Sequence, residues 1–269
     1  IIVSLLIFIV VAYFCTNSYR NRLRAIHYAG RLEETQLTLE DRVKEQTKEI
    51  REQSEQLVQM QENVIDGMAT LIEGRDTDTG QHVRNTKRYV AMIVKYMYDH
   101  RMHTDEIDFD YMTHICNAAP LHDVGKIMIS DMILNKPGRL TPEEFAVMQT
   151  HSELGGDIMK DVLGDSTNRD LIRMSSDIAH YHHEKWDGSG YPDGLAGDEI
   201  PLCARIMAVA DVFDALISKR VYKDAMSIEE AYRILQEDAG THFDPELIQV
   251  FVAIRGEVES YLKELEKED

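Results

Sequence analysis

Hydrophobic positions follow three different rules along this chain. Residues 1–14 are apolar except for Ser4. A membrane-crossing helix needs about 20 such residues. The chain opens on Ile1 rather than Met, so the span is expected to continue upstream, with residues 1–18 as its last part. A signal-peptide core is the rival reading. It calls for a basic stretch before it and small residues at a cleavage site after it, and neither is visible. Arg20, Arg22 and Arg24 follow the apolar run. By the positive-inside rule they place everything downstream on the cytoplasmic side of an inner membrane.

Residues 19–63 obey a second rule. They are polar, charged and free of proline. Apolar side chains return every seven positions at Val43, Ile50, Leu57, Val64 and Leu71, with a weaker companion series at Leu32, Leu39 and Met60. This is the seam of a coiled coil, interrupted at Gln46 and Gln53. It predicts a parallel homodimer; a solvated single helix is the alternative. A span that continues into a dimeric helix can carry a signal to a cytoplasmic domain.

From residue 64 to 269 apolar residues are denser and helix punctuation appears. Val64, Met68, Leu71 and Ile72 fit a helix running to Gly74. Val83, Tyr89, Val90, Ile93, Val94 and Met97 fit another from Gln81 to Arg101. A third covers Ile107 to Ala119, where Pro120 intervenes. Thr141-Pro142-Glu143-Glu144 and Ser227 to Glu230 are N-terminal capping signals, and Asp244-Pro245 starts a further helix. The stretch from Ala204 to Ile217 is apolar nearly all round, which predicts a buried helix. No segment alternates with period two, so the fold class is all-α.

Composition narrows the function. The net charge of −19 argues against binding any polymeric nucleic acid. Three scattered cysteines, Cys15, Cys116 and Cys203, show no paired spacing, so reduced thiols are expected. Eleven histidines matter more through their placement. Arg75 to His82, His122-Asp123-Val124-Gly125-Lys126, the lone His151, and His182-His183-Glu184 running into a glycine-rich loop carry one kind of chemistry. Neutral imidazole is the commonest metal ligand. Together with Asp211, these segments read as one metal-dependent phosphodiesterase site. Lys126 follows His122 by four residues, on the same face if the turn is helical, where its ammonium suits a phosphate oxygen. A carboxylate at Asp211, inside an apolar helix, needs a compensating cation. Asp214 competes for that role, and an ion pair with Arg205 would serve Asp211 equally well.

The motifs His122-Asp123, His182-His183-Glu184 and Gly190-Tyr191-Pro192, in this order, resemble those of the HD-GYP family of HD phosphohydrolases over residues 64–262. The resemblance implies an HD-type helical bundle, here preceded by the membrane span and the coiled coil. It implies a phosphodiesterase that hydrolyses cyclic di-GMP to pGpG, with a second cut to GMP open, through a metal-bridging hydroxide. Carried over by position, it implies His82, His122, Asp123, His151, His182, His183 and Asp211 as metal ligands, Asp123 bridging two cations. Lys126, Tyr191, Arg220 and Lys223 match substrate-contacting positions. A third cation would draw on Asp78, one methylene shorter than the glutamate usual there. Histidine and carboxylate ligands favour iron, then manganese, over a closed zinc site. Two such cations about 4 Å apart acidify a shared water and neutralise both the attacking and the leaving oxygen. The Gly-Tyr-Pro loop either holds the site's geometry or meets partner proteins. The rival functions are a non-catalytic nucleotide receptor or scaffold, and a hydrolase of another nucleotide.

Overall fold

A computed structural model describes residues 2–76, 80–163, 169–218, 226–265 and 267. Asp78, Arg220 and Lys223 lie outside the described residues. The chain divides into two compact units, Ile1–Gln61 and Glu62–Asp269.

The first unit is helix alone. It belongs to α1 (Ile2–Glu73), which is unbroken. Every described residue up to Gln61 is exposed, the apolar run at the start included. By length and composition this stretch can cross a membrane. Val43, Ile50 and Leu57 lie exposed along it, as a seam without a partner must.

The second unit is all-α. After the end of α1 come α2 (Gln81–Asp99), α3 (Phe109–Ala118), a four-residue α4 (Asp131–Leu134), α5 (Pro142–Leu163) and α6 (Arg169–Tyr181). Helices α7 (Leu202–Ile217), α8 (Ile228–Glu237), α9 (Pro245–Ala253) and α10 (Arg255–Leu265) complete it. The described residues contain no strand, only isolated bridges Asp187–Ala196 and Ala239–Phe243.

Local chemistry starts these helices where the sequence signalled. At α5, Thr141 Oγ1 accepts from Glu144 N at 3.3 Å while Glu144 Oε2 accepts from Thr141 N at 2.7 Å, a reciprocal capping box. Ser227 Oγ accepts from Glu230 N at 3.2 Å at α8, and Asp244 Oδ1 from Glu246 N at 2.8 Å at α9.

Helix α7 is the hub, packed against α2, α6, α8 and α9. Its Phe213 meets Tyr89 of α2 and Phe251 of α9 edge to face, with ring centroids 5.2 and 4.8 Å away. A smaller apolar cluster, Ile72, Leu121, Val124, Met159 and Ala179, joins the end of α1 to α5, α6 and the His122 segment.

The helix expected to run to Gly74 is present as the end of α1, but Val64, Met68 and Leu71 lie outside the core, 51%, 55% and 76% exposed. Ile65, Ala69, Ile72 and Glu73 face the core instead. Val64 and Leu71 belong to the seven-residue stripe, and one helix face cannot serve both that stripe and the bundle.

Candidate metal centre

Five separate chain segments deliver side chains to one place. The link between α1 and α2 ends at Gly80, whose φ of 66° is left-handed and whose absent Cβ would meet Thr70 Cγ2 at 2.6 Å. This sets His82 in the first turn of α2. Pro120 closes a short 3-10 turn, Ala119–Leu121, that presents His122 and Asp123. Helix α5 carries His151, the residues just after α6 supply His182 and His183, and α7 supplies Asp211.

The packing that holds these segments explains their small residues. A Cβ on Gly125 would collide with the carbonyl of His151, so only glycine lets the His122 segment lie against α5. The 3-10 turn Val124–Met128 follows, rather than an α-turn. Lys126 therefore reaches Asp123, with Nζ 2.8 Å from Oδ2. Arg75 fastens the same segment by donating to the carbonyls of Ile127 and Ile129 at 3.0 and 3.2 Å and to Asp131 at 2.7 Å.

Each of four imidazoles is anchored through Nδ1. His82 Nδ1 pairs with Asp214 Oδ2 at 2.7 Å, His122 with the Ala119 carbonyl at 3.0 Å, His151 with that of Met148 at 2.7 Å, and His182 with that of Ile178 at 3.0 Å. A neutral ring that donates from Nδ1 keeps its lone pair on Nε2. Those Nε2 atoms turn toward shared carboxylates. His151 and His182 approach Asp123 Oδ1 at 3.2 and 3.7 Å, and His122 approaches Oδ2 at 3.4 Å. His82 Nε2 lies 3.4 Å from Asp211 Oδ1 and 3.9 Å from Glu73 Oε1.

Two four-residue sets result, each with its donor atoms within 4.8 Å of one another: Asp123, His151, His182 and His183; and Glu73, His82, His122 and Asp123. Asp123 belongs to both. A bound cation fits them on a separate ground. His122 Nε2, His182 Nε2, Asp123 Oδ1 and both Glu73 oxygens are buried with no hydrogen-bond partner among the described residues. Each such atom costs about 1–3 kcal/mol. Five in one place, all electron-pair donors, is the arrangement a divalent cation relieves. Imidazole and carboxylate without thiolate suit iron or manganese.

The charges fit the same use. Burial alone would raise Asp123, but Lys126 and His122 hold its carboxyl well below the usual range. Burial works against Asp211 too, and His122 and His82 still hold it low. Burial pushes His182 well down and His183 to about 4, so both rings are neutral at physiological pH. Burial alone would lower His82, but Asp214 and Asp211 together carry it to about 9, so a cation at its Nε2 has to displace a proton. Burial raises Glu73.

The competition on α7 is resolved. Asp211 faces His82 Nε2, whereas Asp214 stands behind the ring and also accepts from Asn85 at 2.8 Å and Ser218 at 3.2 Å. Arg205 is occupied elsewhere, by Asp198 at 3.0 Å and Asp244 at 2.7 Å. The Gly-Tyr-Pro loop borders the site, with the Tyr191 ring 4.8 Å from that of His183. Buried Glu184 pins it, accepting from the N–H groups of Asp193 and Gly194 at 2.7 and 3.0 Å. Gly190 is obligatory, because a Cβ there would strike the backbone of Glu184 and Lys185.

Two carboxylates were not anticipated in these places. Glu73 carried a signal: Ala69, Ile72 and Glu73 share one face at helical spacing. Glu184 sits inside a recognised motif, but nothing in the sequence assigned it a hydrogen-bonding role.

A family model described as HD domain matches residues 53–247. The chain belongs to the HD domain family. It carries His122-Asp123 as the HD pair and the Gly190-Tyr191-Pro192 loop through which it resembles the HD-GYP branch. Among its relatives, a probable cyclic di-GMP phosphodiesterase of Vibrio cholerae is 47% identical over 181 residues, 66% of this chain and 41% of the relative. A cyclic di-GMP phosphodiesterase of the same organism is 44% identical over 183 residues, 67% of this chain and 37% of the relative. A 3'3'-cGAMP-specific phosphodiesterase 2, also from Vibrio cholerae, is 43% identical over 188 residues, 67% and 34% of the two chains. This HD chain thus spans less than half the length of each of these relatives.

Glu184→Ala leaves two loop N–H groups without their charged acceptor, at a cost of about 2 kcal/mol. Hydrogen exchange at Asp193 and Gly194 is expected to speed up roughly 30-fold, with α3 unchanged. Equal exchange in the variant and the parent would show that Glu184 does not hold the loop.

Proposed function

We propose that this chain is the catalytic part of a membrane-anchored, dimeric cyclic di-GMP phosphodiesterase. The observation that carries the proposal is the convergence of His82, His122, Asp123, His151, His182, His183 and Asp211 in one buried cluster. The names of the relatives support the substrate.

In this reading the seven side chains hold two divalent cations, iron or manganese, with Asp123 shared between them. Bound there, the cations acidify water and neutralise phosphate charge. The remaining work falls to the protein. Asp123, kept anionic by Lys126 and His122, presents a charged oxygen to both donor sets. Lys126, beside Asp123, offers its ammonium to the phosphoryl oxygens as their negative charge grows. Burial raises Tyr191 above its ordinary range, so it remains a phenol and can donate an O–H to substrate. Asp214 keeps the His82 ring in one tautomer. Arg220 and Lys223 complete the substrate contacts, and Asp78 is held in reserve for a third cation. Water oxygen bonds to phosphorus, the P–O bond to the 3′ oxygen breaks, and that oxygen takes the proton. The product is pGpG, and a repeat of the step yields GMP.

A second reading keeps the chemistry and changes the ring. It is favoured by the relative that is named as specific for 3'3'-cGAMP. A side-by-side assay of cyclic di-GMP and 3'3'-cGAMP separates the two. With anaerobically prepared, iron- or manganese-loaded full chain, cyclic di-GMP is expected to be opened fastest. His122→Ala with Asp123→Ala is expected to abolish turnover and leave the helical circular dichroism unchanged. An intact substrate with the parent chain, or full turnover by the double variant, would sink the proposal.

The apolar run at the start of α1 would anchor the chain in the inner membrane, and Arg20, Arg22 and Arg24 would hold the second unit in the cytoplasm. The exposed stripe Val43, Ile50 and Leu57 is the surface for the homodimer. The Gly-Tyr-Pro loop is the surface for other proteins. In detergent, Ile50→Lys with Leu57→Lys is expected to shift the sedimenting species from dimer toward monomer. An unchanged dimer at low concentration would place the contact elsewhere.

A further inference from the structure

Glu73 is the one member of the buried cluster that neither the motifs nor the family resemblance brought in. It ends α1, nine residues before His82 in the chain, and is 3% exposed. Both of its carboxylate oxygens are buried without a hydrogen-bond partner among the described residues. That is an unusual position for a glutamate. A carboxylate sealed from water normally accepts several hydrogen bonds or is paired with a cationic side chain. Here the groups around it are Nε2 of His82, 3.9 Å from Oε1, together with donor atoms of His122 and Asp123, all within 4.8 Å of one another. His82 and His122 spend their Nδ1 atoms on Asp214 and the Ala119 carbonyl, so Nε2 is the atom each turns to this space. The polar groups at this space, the two Nε2 atoms and the carboxylates of Asp123 and Glu73, can each give an electron pair to a cation that displaces their protons.

Packing places the Glu73 backbone. Ala69 and Ile72 bury the same face of α1, with Ile72 in the apolar cluster of Leu121, Val124 and Met159. Arg75, two residues on, locks the chain to the carbonyls beyond Lys126. These contacts fix the carboxylate beside the His122-Asp123 pair.

We propose that Glu73 is a cation ligand, joining His82, His122, the shared Asp123 and Asp211 in a site of two imidazoles and three carboxylates. This rests on the metal-dependent reading above and deepens it. It adds a third carboxylate, at the end of a helix, to the donor set that holds His82 and His122. A hard divalent cation such as Mn2+ suits that set better than a thiophilic one.

The test uses the detergent-solubilised full chain, stripped of metal and titrated with Mn2+. Free Mn2+ is followed by electron paramagnetic resonance, and melting is recorded with and without the ion. The parent is expected to bind in two classes. Glu73→Gln keeps the shape and removes the charge. It is expected to weaken one class at least 10-fold, leave the other unchanged, and melt no lower than the parent without metal. Its Mn2+-induced rise in Tm is expected to be smaller. Glu73→Asp is expected to recover part of the lost affinity, and it decides the matter should the glutamine variant not fold. Equal stoichiometry and affinity in the parent and both variants would overturn the assignment of Glu73 while leaving the phosphodiesterase reading intact. A Glu73-dependent site in a chain that leaves cyclic di-GMP whole would do the reverse. A parent that binds no Mn2+ would overturn both.

Discussion

The structure turns on the way its histidines are tied from behind. His82, His122, His151 and His182 each commit Nδ1 to a fixed acceptor, three of them main-chain carbonyls. A ring held at one nitrogen has little freedom to turn away, so the opposite nitrogens of His122, His151 and His182 face one another across Asp123, and that of His82 faces Asp211. Without a cation this crowds electron pairs in a space closed to water. The bundle carries that cost in its core, and only large, well-packed burial elsewhere lets it do so. The aromatic packing of Tyr89, Phe213 and Phe251 around α7 supplies part of that burial.

The other unusual features serve the same constraint. Gly125 lets the His122 segment touch α5, Gly80 lets α2 begin abruptly at Gln81, just before His82, and Arg75 fastens the end of α1 to the turn that carries Lys126. Glu184 does for the Gly-Tyr-Pro loop what the carbonyls do for the rings. None of these residues has to touch substrate. Each removes a degree of freedom from one that would.

Much of this was legible beforehand. The helices were readable because their caps use side chains in fixed spacing, as at Thr141, Ser227 and Asp244. The His122-Asp123, His182-His183 and Gly190-Tyr191-Pro192 motifs stood out because their chemistry is dense over a few residues. Distributed features did not. Glu73 was masked by a seven-residue apolar stripe on the same helix, which drew attention to Val64 and Leu71 and away from the face one position round. Asp211 and Asp214, three residues apart, are near equals in sequence, and only the two sides of the His82 ring separate them. Lys126 meets Asp123 because the turn is 3-10 rather than α, a difference the residues do not announce.

The central claim is that these buried donors surround shared cations. X-ray absorption at the metal edge of anaerobically purified full chain tests it most directly. The account predicts bound iron or manganese with only nitrogen and oxygen neighbours, an imidazole scattering pattern, and a second metal about 3.5–4 Å away. A chain that holds no metal, or one whose metal has sulfur neighbours and no imidazole, would contradict it.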